Sequence, residues 1–358
     1  MRSSWRRRIM YSGITLACLL AGGAAWAGYE YYQLSPSRHF RQVPVLASGG
    51  TTNSTASGSS SNTTGNTPAN ASATPVRQTK STASPAPTGG TPVTSETFNV
   101  LLIGSDIRGP NTPGHSDSMM LVHVNVSAGR YDILSLPRDA RVYMKGYGFT
   151  KLTSVQYMAQ ASQGITPGIQ AAIATVAQLT GVPINYYMET DYWGLQDVVN
   201  ALGGINMNVP FNVTLTHPWY SQDQGITIPA GVHFFNGRMV TEVVHERYSL
   251  ANGDYGRQQL QENALLGIVK AALLPTNLTK LPALVKAFPH FLIGTNMNIS
   301  DLLSLGLAVK HFRSSDVQYY QVPGKSVVAY DDILRAYNDE ISLDMQALQQ
   351  IVQAHFKN

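Results

Sequence analysis

The stretch from Phe98 to Asp139 reads FNVLLIGSDIRGPNTPGHSDSMMLVHVNVSAGRYDILSLPRD and contains three apolar runs. They are Phe98–Ile103, Ser118–Val126 and Tyr131–Leu136, and glycine, proline and small polar residues separate them. Short apolar runs bounded by such residues are typical of strands buried in a sheet. The stretch therefore predicts three core strands of one sheet.

Helical and strand patterns alternate in the rest of the chain. Thr166 and Pro167 open the segment IQAAIATVAQLT and Gly181 closes it, as expected for an amphipathic helix. The further predicted elements are helices over Leu195–Leu202, from a cap at Asn236 to Arg247, from a cap at Asp254 to Leu273, over Leu302–Phe312 and over Leu343–Phe356, and strands over Ile205–Val209 and Val317–Val322. This alternation indicates an α/β fold, and we expect a central mixed sheet flanked by helices on both faces.

The charge balance excludes a body that binds nucleic acid. The 358 residues include 25 Lys and Arg against 21 Asp and Glu, and Arg2, Arg6, Arg7 and Arg8 account for the whole excess. Nucleic-acid binding needs a clustered surplus of basic residues, which the rest of the chain lacks. The single cysteine, Cys18, excludes a disulfide scaffold and a zinc site built from cysteines.

The N-terminus carries an export signal. An uncharged apolar run from Ile9 to Ala27 is long enough to cross a bilayer, and the arginines before it place residues 1–8 in the cytoplasm. We therefore predict one transmembrane anchor over 9–29, with the rest of the chain outside the cell. Two alternatives also export the chain: a signal peptide cleaved after an A-x-A-like site at Ala27, and a lipoprotein modified at Cys18.

The segment from Val45 to Ser95 has the composition of a disordered linker. It is rich in Ser, Thr, Gly and Pro, and Arg77 and Lys80 are its only charged residues. Such a segment lacks the apolar mass to offset the entropy of ordering. We expect residues 30–95 to form an extracellular stem and linker that tethers a globular body to the membrane.

Two aspartates flank the first two predicted strands. Asp106 follows the first and Asp117 precedes the second, so both carboxylates reach the same sheet edge if the strands are neighbours. Paired carboxylates suit Mg²⁺, which takes its other ligands from water and substrate phosphate. The alternative is that both are turn residues whose side chains accept hydrogen bonds from nearby backbone amides.

Three arginines lie at the ends of predicted elements. Arg138 follows the third strand, Arg247 ends a helix, and Arg257 lies in the first turn of the next helix, with Gln261 on the same face. A cation is unfavourable at a helix N-terminus unless an anion is nearby, and the three arginines together would form a bidentate phosphate clamp. Asp254 could instead satisfy Arg257 locally. The sequence contains no motif of a serine hydrolase, a P-loop, a zinc protease or a dinucleotide-binding fold.

The motifs resemble those of one known family. The segments NVLLIGSDIR, HSDSMMLVHV, ILSLPRDARV, ALGGINMNVP, AGVHFFNG and GDYGRQQLQ occur in this order between Phe98 and Leu273 and are similar to the LytR–CpsA–Psr family. The segment LPTNLTKLPALVKAF resembles the family's C-terminal part, and the layout of short tail, membrane helix and exported domain also resembles the family. The resemblance implies a catalytic domain over 96–273 and a C-terminal part over 274–358 packed on the same domain.

This resemblance implies a transferase of Gram-positive cell envelopes that acts outside the cytoplasmic membrane. Family members move a glycopolymer, such as teichoic acid or capsule, from a polyprenyl-pyrophosphate carrier onto peptidoglycan and form a phosphodiester. It implies that Asp106 and Asp117 bind Mg²⁺, with Mn²⁺ as an alternative, and that either could accept the proton of the acceptor hydroxyl. It also implies that Arg138, Arg247 and Arg257 contact the pyrophosphate. The expected substrate-binding residues are Arg108, His115, Lys151, His245 and Gln261.

The resemblance further implies a site for the lipid tail. In the family this tail enters an apolar cleft between the sheet and its helices. The cleft would place the helix over Ile169–Leu179 or the face over Val240–Val244 on the lipid. Packing in the protein core is the alternative role of each of these residues.

Four positions depart from the family motifs, and one of them is Thr153, where the family usually has asparagine. Histidine replaces the habitual arginine at His115 and His245, and leucine replaces it at Leu260. A histidine binds phosphate as a cation only when it is protonated, which a neighbouring phosphate and low external pH favour. We therefore expect a site that works best in mild acid. The alternative is a weakened homologue that binds polyprenyl-linked glycan as a scaffold protein of the envelope.

Overall fold

The structure is a computed structural model, and it describes residues 32, 34–40, 44–46, 97–109, 112–278, 284, 291–309 and 312–357. The predicted anchor over 9–29 and most of the predicted linker lie outside the described residues. Within the described ranges, no helix has both the length and the hydropathy that a membrane span requires.

Strands and helices alternate along the described chain. The strands are β1 (Thr97–Ser105), β2 (Ser116–Asn125), β3 (Arg130–Leu136), β4 (Arg141–Met144), β5 (Gly148–Lys151), β6 (Tyr186–Asp191), β7 (Ile205–Val209), β8 (Val213–Thr214), β9 (Thr227–Ile228), β10 (Gly231–Phe235), β11 (Gly294–Thr295), β12 (Val317–Gln321), β13 (Gly324–Asp331) and β14 (Ala336–Leu343). The helices are α1 (Pro36–His39), α2 (Leu152–Gln163), α3 (Ile165–Thr180), α4 (Tyr192–Ala201), α5 (Gly237–His245), α6 (Gly253–Ala272), α7 (Pro275–Leu278), α8 (Ile299–Ala308) and α9 (Met345–His355).

Six strands form the central sheet, in the order β11-β6-β1-β2-β3-β12. β1 pairs antiparallel with β2, and β2 with β3, whereas β6 and β12 pair parallel with β1 and β3. The prediction of a central mixed sheet is therefore confirmed. The three strands predicted within Phe98–Asp139 lie side by side in it, because their apolar side chains are buried on both faces.

Helices cover both faces of this sheet, as predicted. Because side chains alternate between the faces of a strand, Leu101 and Leu121 pack on one side against α2, α3 and α9. Their neighbours Val100 and Val124 pack on the other side, where α8 contributes Leu302 to a second apolar cluster. The sheet is thus a middle layer between two layers of helices.

A third apolar cluster lies beside the sheet. The antiparallel pair of β7 and β10 packs against α4, α5 and α6 through residues that include Met207, Val243 and Leu260. This packing fixes the end of α5 and the start of α6, the two places where the sequence analysis expected site residues.

One predicted helix cap is confirmed and another is wrong. The Asn236 side chain caps α5 by accepting a hydrogen bond from a backbone amide of the first turn. α6 instead begins after Asn252, and Asp254 lies inside its first turn. The Asp254 carboxylate accepts hydrogen bonds from the side chains of Arg257 and Gln258, so its oxygens serve side-chain donors instead of a backbone cap.

Candidate functional site

The two predicted aspartates lie at the same edge of the sheet. β1 and β2 are neighbours, and their pairing shifts register between Gly104 and Ser105, which leaves Asp117 without a cross-strand partner. Such a β-bulge bends its strand and redirects a side chain. Asp117 consequently lines the same cleft as Asp106.

Asp106 both closes the turn after β1 and faces the cleft. One of its carboxylate oxygens accepts a hydrogen bond from the His115 backbone amide at 2.5 Å, so the interpretation as a turn residue holds for that oxygen. The other oxygen lies 3.9 Å from His115 Nδ1, and 33% of the side chain is exposed. This second oxygen is available to a ligand in the cleft.

Arg138 and Arg257 converge on Asp117. Arg138 donates to the Asp117 carboxylate, and Arg257 donates to the Asp117 carbonyl oxygen at 3.1 Å and to the Asp254 carboxylate. Asp254 therefore satisfies Arg257 only in part. The Nε atoms of Arg138 and Arg257 are buried and donate no hydrogen bond to any residue of the described ranges. Buried donors without an acceptor are rare. Neither arginine lines the cleft, so an anion bound there would reach these two groups only after the side chains around them shift.

Asp139 is a site residue that the sequence analysis did not single out. Its carboxylate lies 3.1 Å from Lys151 Nζ, 3.7 Å from Arg138 Nε and 3.8 Å from Arg247 Nη1. The only sequence signal was its place in the P-R-D segment that follows β3. Asp139 thus gathers three of the predicted cations, two arginines and one lysine, around a single carboxylate.

His115 and His245, the two histidines that the sequence analysis compared with arginines of the family motifs, lie in different surroundings. The His115 ring stacks on Tyr157, with the ring centroids 4.5 Å apart. His245 is accessible to solvent at the end of α5, yet the protein around it removes enough water to lower its pKa. Asp117 opposes this shift and Arg257 adds to it. Without substrate, the site therefore makes His245 harder to protonate than a free histidine, and an imidazolium beside bound phosphate in mild acid stays a prediction.

Leu260 and Gln261 lie on different sides of α6. Leu260 is fully buried in the third apolar cluster, so the leucine at the habitual arginine position is a core residue of this chain. Gln261 lines the cleft, and its Nε2 donates to the Val244 carbonyl oxygen at 3.4 Å. The predicted polar role of Gln261 is therefore compatible with its position.

The cleft continues into an apolar cavity on the second face of the sheet. Leu102, Leu265 and Ile268 line both spaces. The cavity has a volume of about 300 Å³, and its walls come from the central strands on one side and from α4, α6 and α8 on the other. Among the described residues that line it, none is charged. An apolar chain can therefore lie next to Asp106, Asp117 and Arg108, the carboxylates and the arginine that line the cleft.

The helices expected to contact a lipid are not the ones that line this cavity. α3, which contains Ile169–Leu179, packs on the opposite face of the sheet, where Ile173 and Val176 are core residues. Within Val240–Val244, Val240 and Val243 are buried in the third cluster, and Thr241 and Val244 line the cleft. Core packing, the alternative interpretation, is therefore correct for most of these residues.

An aromatic rim formed by Tyr192, Trp193, Trp219 and the overlying Arg108 borders the cleft. Arg108 Cζ lies 5.1 Å from the centre of the Trp219 ring, Tyr192 stacks on that ring at 5.3 Å, and Trp193 contacts it edge-on at 5.5 Å. Buried Glu242 accepts a hydrogen bond from the Trp219 amide at 2.9 Å and so holds the loop in place. Of this rim the sequence analysis predicted only Arg108, because no sequence spacing relates the two tryptophans.

Asp106 and Asp117 are the candidate metal ligands. Carboxylate oxygens are the ligands that Mg²⁺ and Mn²⁺ prefer, and Mg²⁺ is commonly held by one or two of them together with substrate phosphates. In the described part of the chain, no cluster of three or more His, Cys, Asp or Glu side chains could hold a metal ion. The donor set therefore fits an ion whose remaining ligands are phosphate oxygens and water.

Comparison with known proteins gives a consistent picture. A model of the LytR_cpsA_psr family matches residues 55–355. The polyisoprenyl-teichoic acid–peptidoglycan teichoic acid transferase TagU of Bacillus cereus is 28% identical over 265 residues, which cover 74% of this chain and 80% of TagU. Two solved structures share the fold. TagV of Bacillus subtilis has a TM-score of 0.60 at 22% identity and covers 72% of this chain and 95% of its own. TagT bound to LIIa-WTA has a TM-score of 0.57 at 24% identity and covers 72% of this chain and 89% of its own.

Proposed function

The chain belongs to the LytR–CpsA–Psr family, and on this basis we propose that it transfers a glycopolymer from a polyprenyl-pyrophosphate carrier to peptidoglycan. The bond formed is a phosphodiester. One observation carries the proposal: Asp106 and Asp117 line a cleft that shares Leu102, Leu265 and Ile268 with an uncharged cavity, and Asp117 is held by Arg138 and Arg257. That combination suits a substrate with an anionic pyrophosphate head and a long apolar tail.

The name of the curated relative supports the same class of substrate. TagU of Bacillus cereus is a teichoic acid transferase that acts between a polyisoprenyl carrier and peptidoglycan. For this chain we propose a polymer of the teichoic acid or capsule type.

The proposed reaction is a phosphoryl transfer. The oxygen of a peptidoglycan hydroxyl attacks the phosphorus atom that carries the glycan, the bond from that phosphorus to the bridging oxygen breaks, and polyprenyl phosphate leaves. Such a reaction needs in-line positioning and compensation of phosphate charge more than covalent work by the protein. Arg138 and Arg257 would donate hydrogen bonds to the phosphate oxygens through their Nε atoms. Arg247 and Lys151, which both pair with Asp139, add positive charge nearby.

One carboxylate takes the proton of the attacking hydroxyl. We assign this role to Asp106, because it is the more exposed of the two aspartates and Asp117 is paired with Arg138. Asp117 and one oxygen of Asp106 would hold Mg²⁺ or Mn²⁺, which when bound would neutralise charge on the pyrophosphate, and the other oxygen of Asp106 would accept the proton.

The lipid tail of the carrier fits the apolar cavity. Its wall residues Leu265 and Ile268 in α6 and Leu302 in α8 offer only hydrocarbon surface. Burying apolar surface there would add roughly 25 cal/mol for each Å² removed from water. The first isoprene units would pass Leu102, where the cavity meets the cleft.

The proposed location is the outer face of the cytoplasmic membrane of a Gram-positive envelope. We propose a single-pass anchor over 9–29, a stem and linker over 30–95, the catalytic domain over 96–273 and a C-terminal part over 274–358. The apolar run from Ile9 to Ala27 and the arginines before it support this topology.

A transfer assay tests the proposal. The full chain in detergent, with Mg²⁺, receives a radiolabelled polyprenyl-pyrophosphoryl glycan and peptidoglycan oligomers. We expect label on the oligomers, and we expect Asp106→Ala and Arg138→Ala to abolish it. Absence of transfer by the wild-type protein under these conditions, with carrier binding intact, would contradict the enzymatic function.

That outcome would favour a second candidate function, a scaffold protein that binds polyprenyl-linked glycan without transferring it. The observation behind it is that His115 and His245 stand where the family has arginines, and that burial lowers the pKa of His245. The same assay at pH 5.5 and pH 7.5 separates the candidates, because a scaffold binds the carrier at both pH values and transfers at neither.

A further inference from the structure

A short stem that precedes the predicted linker is packed onto the body. Phe40 is fully buried, and its ring stacks on Phe98 with centroids 3.9 Å apart and meets Tyr186 edge-on at 5.5 Å. His39 Nε2 lies 2.7 Å from Asp301 Oδ1 at the start of α8. These contacts join the stem to the first residues of β1 and β6 and to α8.

The stem is attached at a second point a few residues later. The Val45 amide donates to the Ile184 carbonyl oxygen at 2.7 Å, and Val45 and Leu46 pack against the apolar cluster on the first face of the sheet. Ile184 lies two residues before β6, which runs parallel to β1, so this contact lies at the end of the sheet where β1 begins. The chain therefore leaves the described stem and re-enters the body at Thr97 at the same end of the sheet.

We infer that residues 47–96 leave and re-enter the body as a side loop and do not tether it. The docked stem, Pro36–Phe40 with Val45 and Leu46, instead holds the body close to the membrane. The inference rests on the proposed anchor over 9–29. It replaces the interpretation in which all of 30–95 separates anchor and body. The partner that it assigns to the stem end of the sheet is the bilayer surface.

Docking shortens the reach of the site. Nine residues from Ala27 to Pro36 span at most roughly 30 Å, whereas a free chain from Ala27 to Thr97 could span roughly 240 Å. Asp106 lies at the other end of β1, at most roughly 27 Å further from the membrane at about 3.3 Å per residue. A docked body therefore acts only on acceptors close to the bilayer.

Docking also orients the apolar cavity. The cluster that receives Phe40 contains Val100, Val124 and Leu302, and the same three residues line the cavity. The wall of the cavity is thus continuous with the stem site, and the cavity extends from the membrane-facing end of the sheet towards the carboxylates. A lipid carrier drawn from the bilayer would reach the cleft along this path.

Cleavage of the linker tests the inference. A specific protease site replaces residues 60–66 of the full chain, the protein is reconstituted in phosphatidylglycerol–phosphatidylcholine vesicles, and the vesicles are sedimented before and after cleavage. We expect the cleaved body to stay in the pellet, because the stem holds it without a covalent link. Release of most of the body on cleavage would overturn the inference, since it would show that the linker alone connects the body to the anchor.

Stem variants show whether the stem is responsible. We expect Phe40→Ala to release the cleaved body, His39→Ala to release part of it, and Tyr337→Ala, at a side chain that is 74% exposed, to leave retention unchanged. Retention of the body in both stem variants would overturn the inference, because another surface would then hold it. If the intact protein does not sediment with the vesicles, the proposed anchor is contradicted, and so is the inference that rests on it. The transfer assay in detergent, which needs no anchor, tests the proposed chemistry independently.

Discussion

Arg257 is the least exposed of the predicted site residues, with 3% of its side chain accessible. Burial lowers its pKa, and the neighbouring carboxylates of Asp254 and Asp117 oppose the change. Its Nε has no acceptor among the described residues. A charged group buried with an unused donor costs stability, and a substrate phosphate would satisfy it.

We predict that Arg257→Lys lowers transfer by roughly 10- to 100-fold, because lysine offers no planar fork and one charge-assisted hydrogen bond is worth about 1.5–3 kcal/mol. The measurement is the rate of transfer at saturating acceptor. Arg313→Lys is the matched control, since Arg313 is 78% exposed in a surface ion pair. Equal losses in both variants would show that the effect is not specific to the cleft.

We predict that Asp139→Asn weakens carrier binding by about tenfold, an effect of ~1.4 kcal/mol. Asp139 is the shared partner of Lys151, Arg138 and Arg247, and without its charge these side chains repel one another and lose their positions. Titration with a fluorescent carrier analogue measures the affinity. The exposed Asp339→Asn is the control, and unchanged affinity in Asp139→Asn would contradict the role of Asp139 in positioning.

The sequence predicted several polar residues that the structure places near one another, but not how they are arranged. Asp106, Asp117 and the arginines were found because they stand at the ends of recognisable strands and helices. Asp139 was missed, since its three partners come from different elements and only folding brings them together. The bulge at Asp117 was also missed, because a one-residue shift in strand pairing leaves no mark in the apolar pattern.

At the scale of elements, α6 contributes residues to the polar cleft, to the third apolar cluster and to the apolar cavity. Gln261 lines the cleft, and Arg257 donates to the Asp117 carbonyl oxygen. Leu260 is buried in the third apolar cluster, and Leu265 and Ile268 line the cavity. A helix with so many different neighbours shows no clear apolar stripe. It was predicted from its ends rather than from its periodicity.

We predict that Glu262→Gln in α6 stabilises the protein at high pH only. Burial raises the pKa of Glu262 from 4.5 to about 7, so the folded protein keeps a proton that the unfolded chain releases. The stability that the protonated form contributes is complete below pH 4.5 and is lost as the pH rises to about 7. Because solvent screens part of the charge, we expect a gain on the order of 1 kcal/mol above pH 7 and none at pH 4.

Urea denaturation of the wild-type protein and Glu262→Gln at several pH values checks this expectation. Asp339→Asn serves as the exposed control. A difference between Glu262→Gln and the wild type that stays constant with pH would contradict the protonation of Glu262 in the folded state.

We predict that Leu305→Trp in α8 blocks the apolar cavity. Leu305 lines the cavity, so a larger side chain there occupies space that the lipid needs. Leu307→Trp is the matched control on the same helix, because Leu307 does not line the cavity. In transfer assays, we expect Leu305→Trp to impair a long-chain carrier at least tenfold more than a short-chain carrier. Equal impairment with both carriers would contradict the placement of the lipid tail.

Strands with a regular pattern of apolar residues were predicted from the sequence, and those without such a pattern were missed. Ile205–Val209 is a strand with the predicted limits, since every second residue is apolar and buried. β6, with the sequence YYMETD, was missed because half of its side chains are polar, and its pairing with β1 makes it a strand. The β13–β14 hairpin was missed for a similar reason, as half of its residues are exposed.

At the scale of the whole molecule, the sequence predicted the layers but not the place of the cavity. The alternation of strands and helices was sufficient to predict a sheet covered on both faces. It could not show that the cavity lies under α6 and α8 while α3 packs tightly on the other face. Nor could it show that Phe40 is buried in the core, because polar and charged residues surround Phe40 in the sequence and no apolar pattern includes it.

Phosphoryl transfer to peptidoglycan is the central claim, and the identity of the released lipid tests it most directly. The full chain is incubated with polyprenyl-pyrophosphoryl glycan and peptidoglycan oligomers, and the lipid products are identified by mass spectrometry. We predict one polyprenyl monophosphate for each glycan attached, with the second phosphate retained in the new phosphodiester. Release of polyprenyl pyrophosphate would contradict the claim, since it would mean that the glycan, and not a phosphoryl group, is transferred.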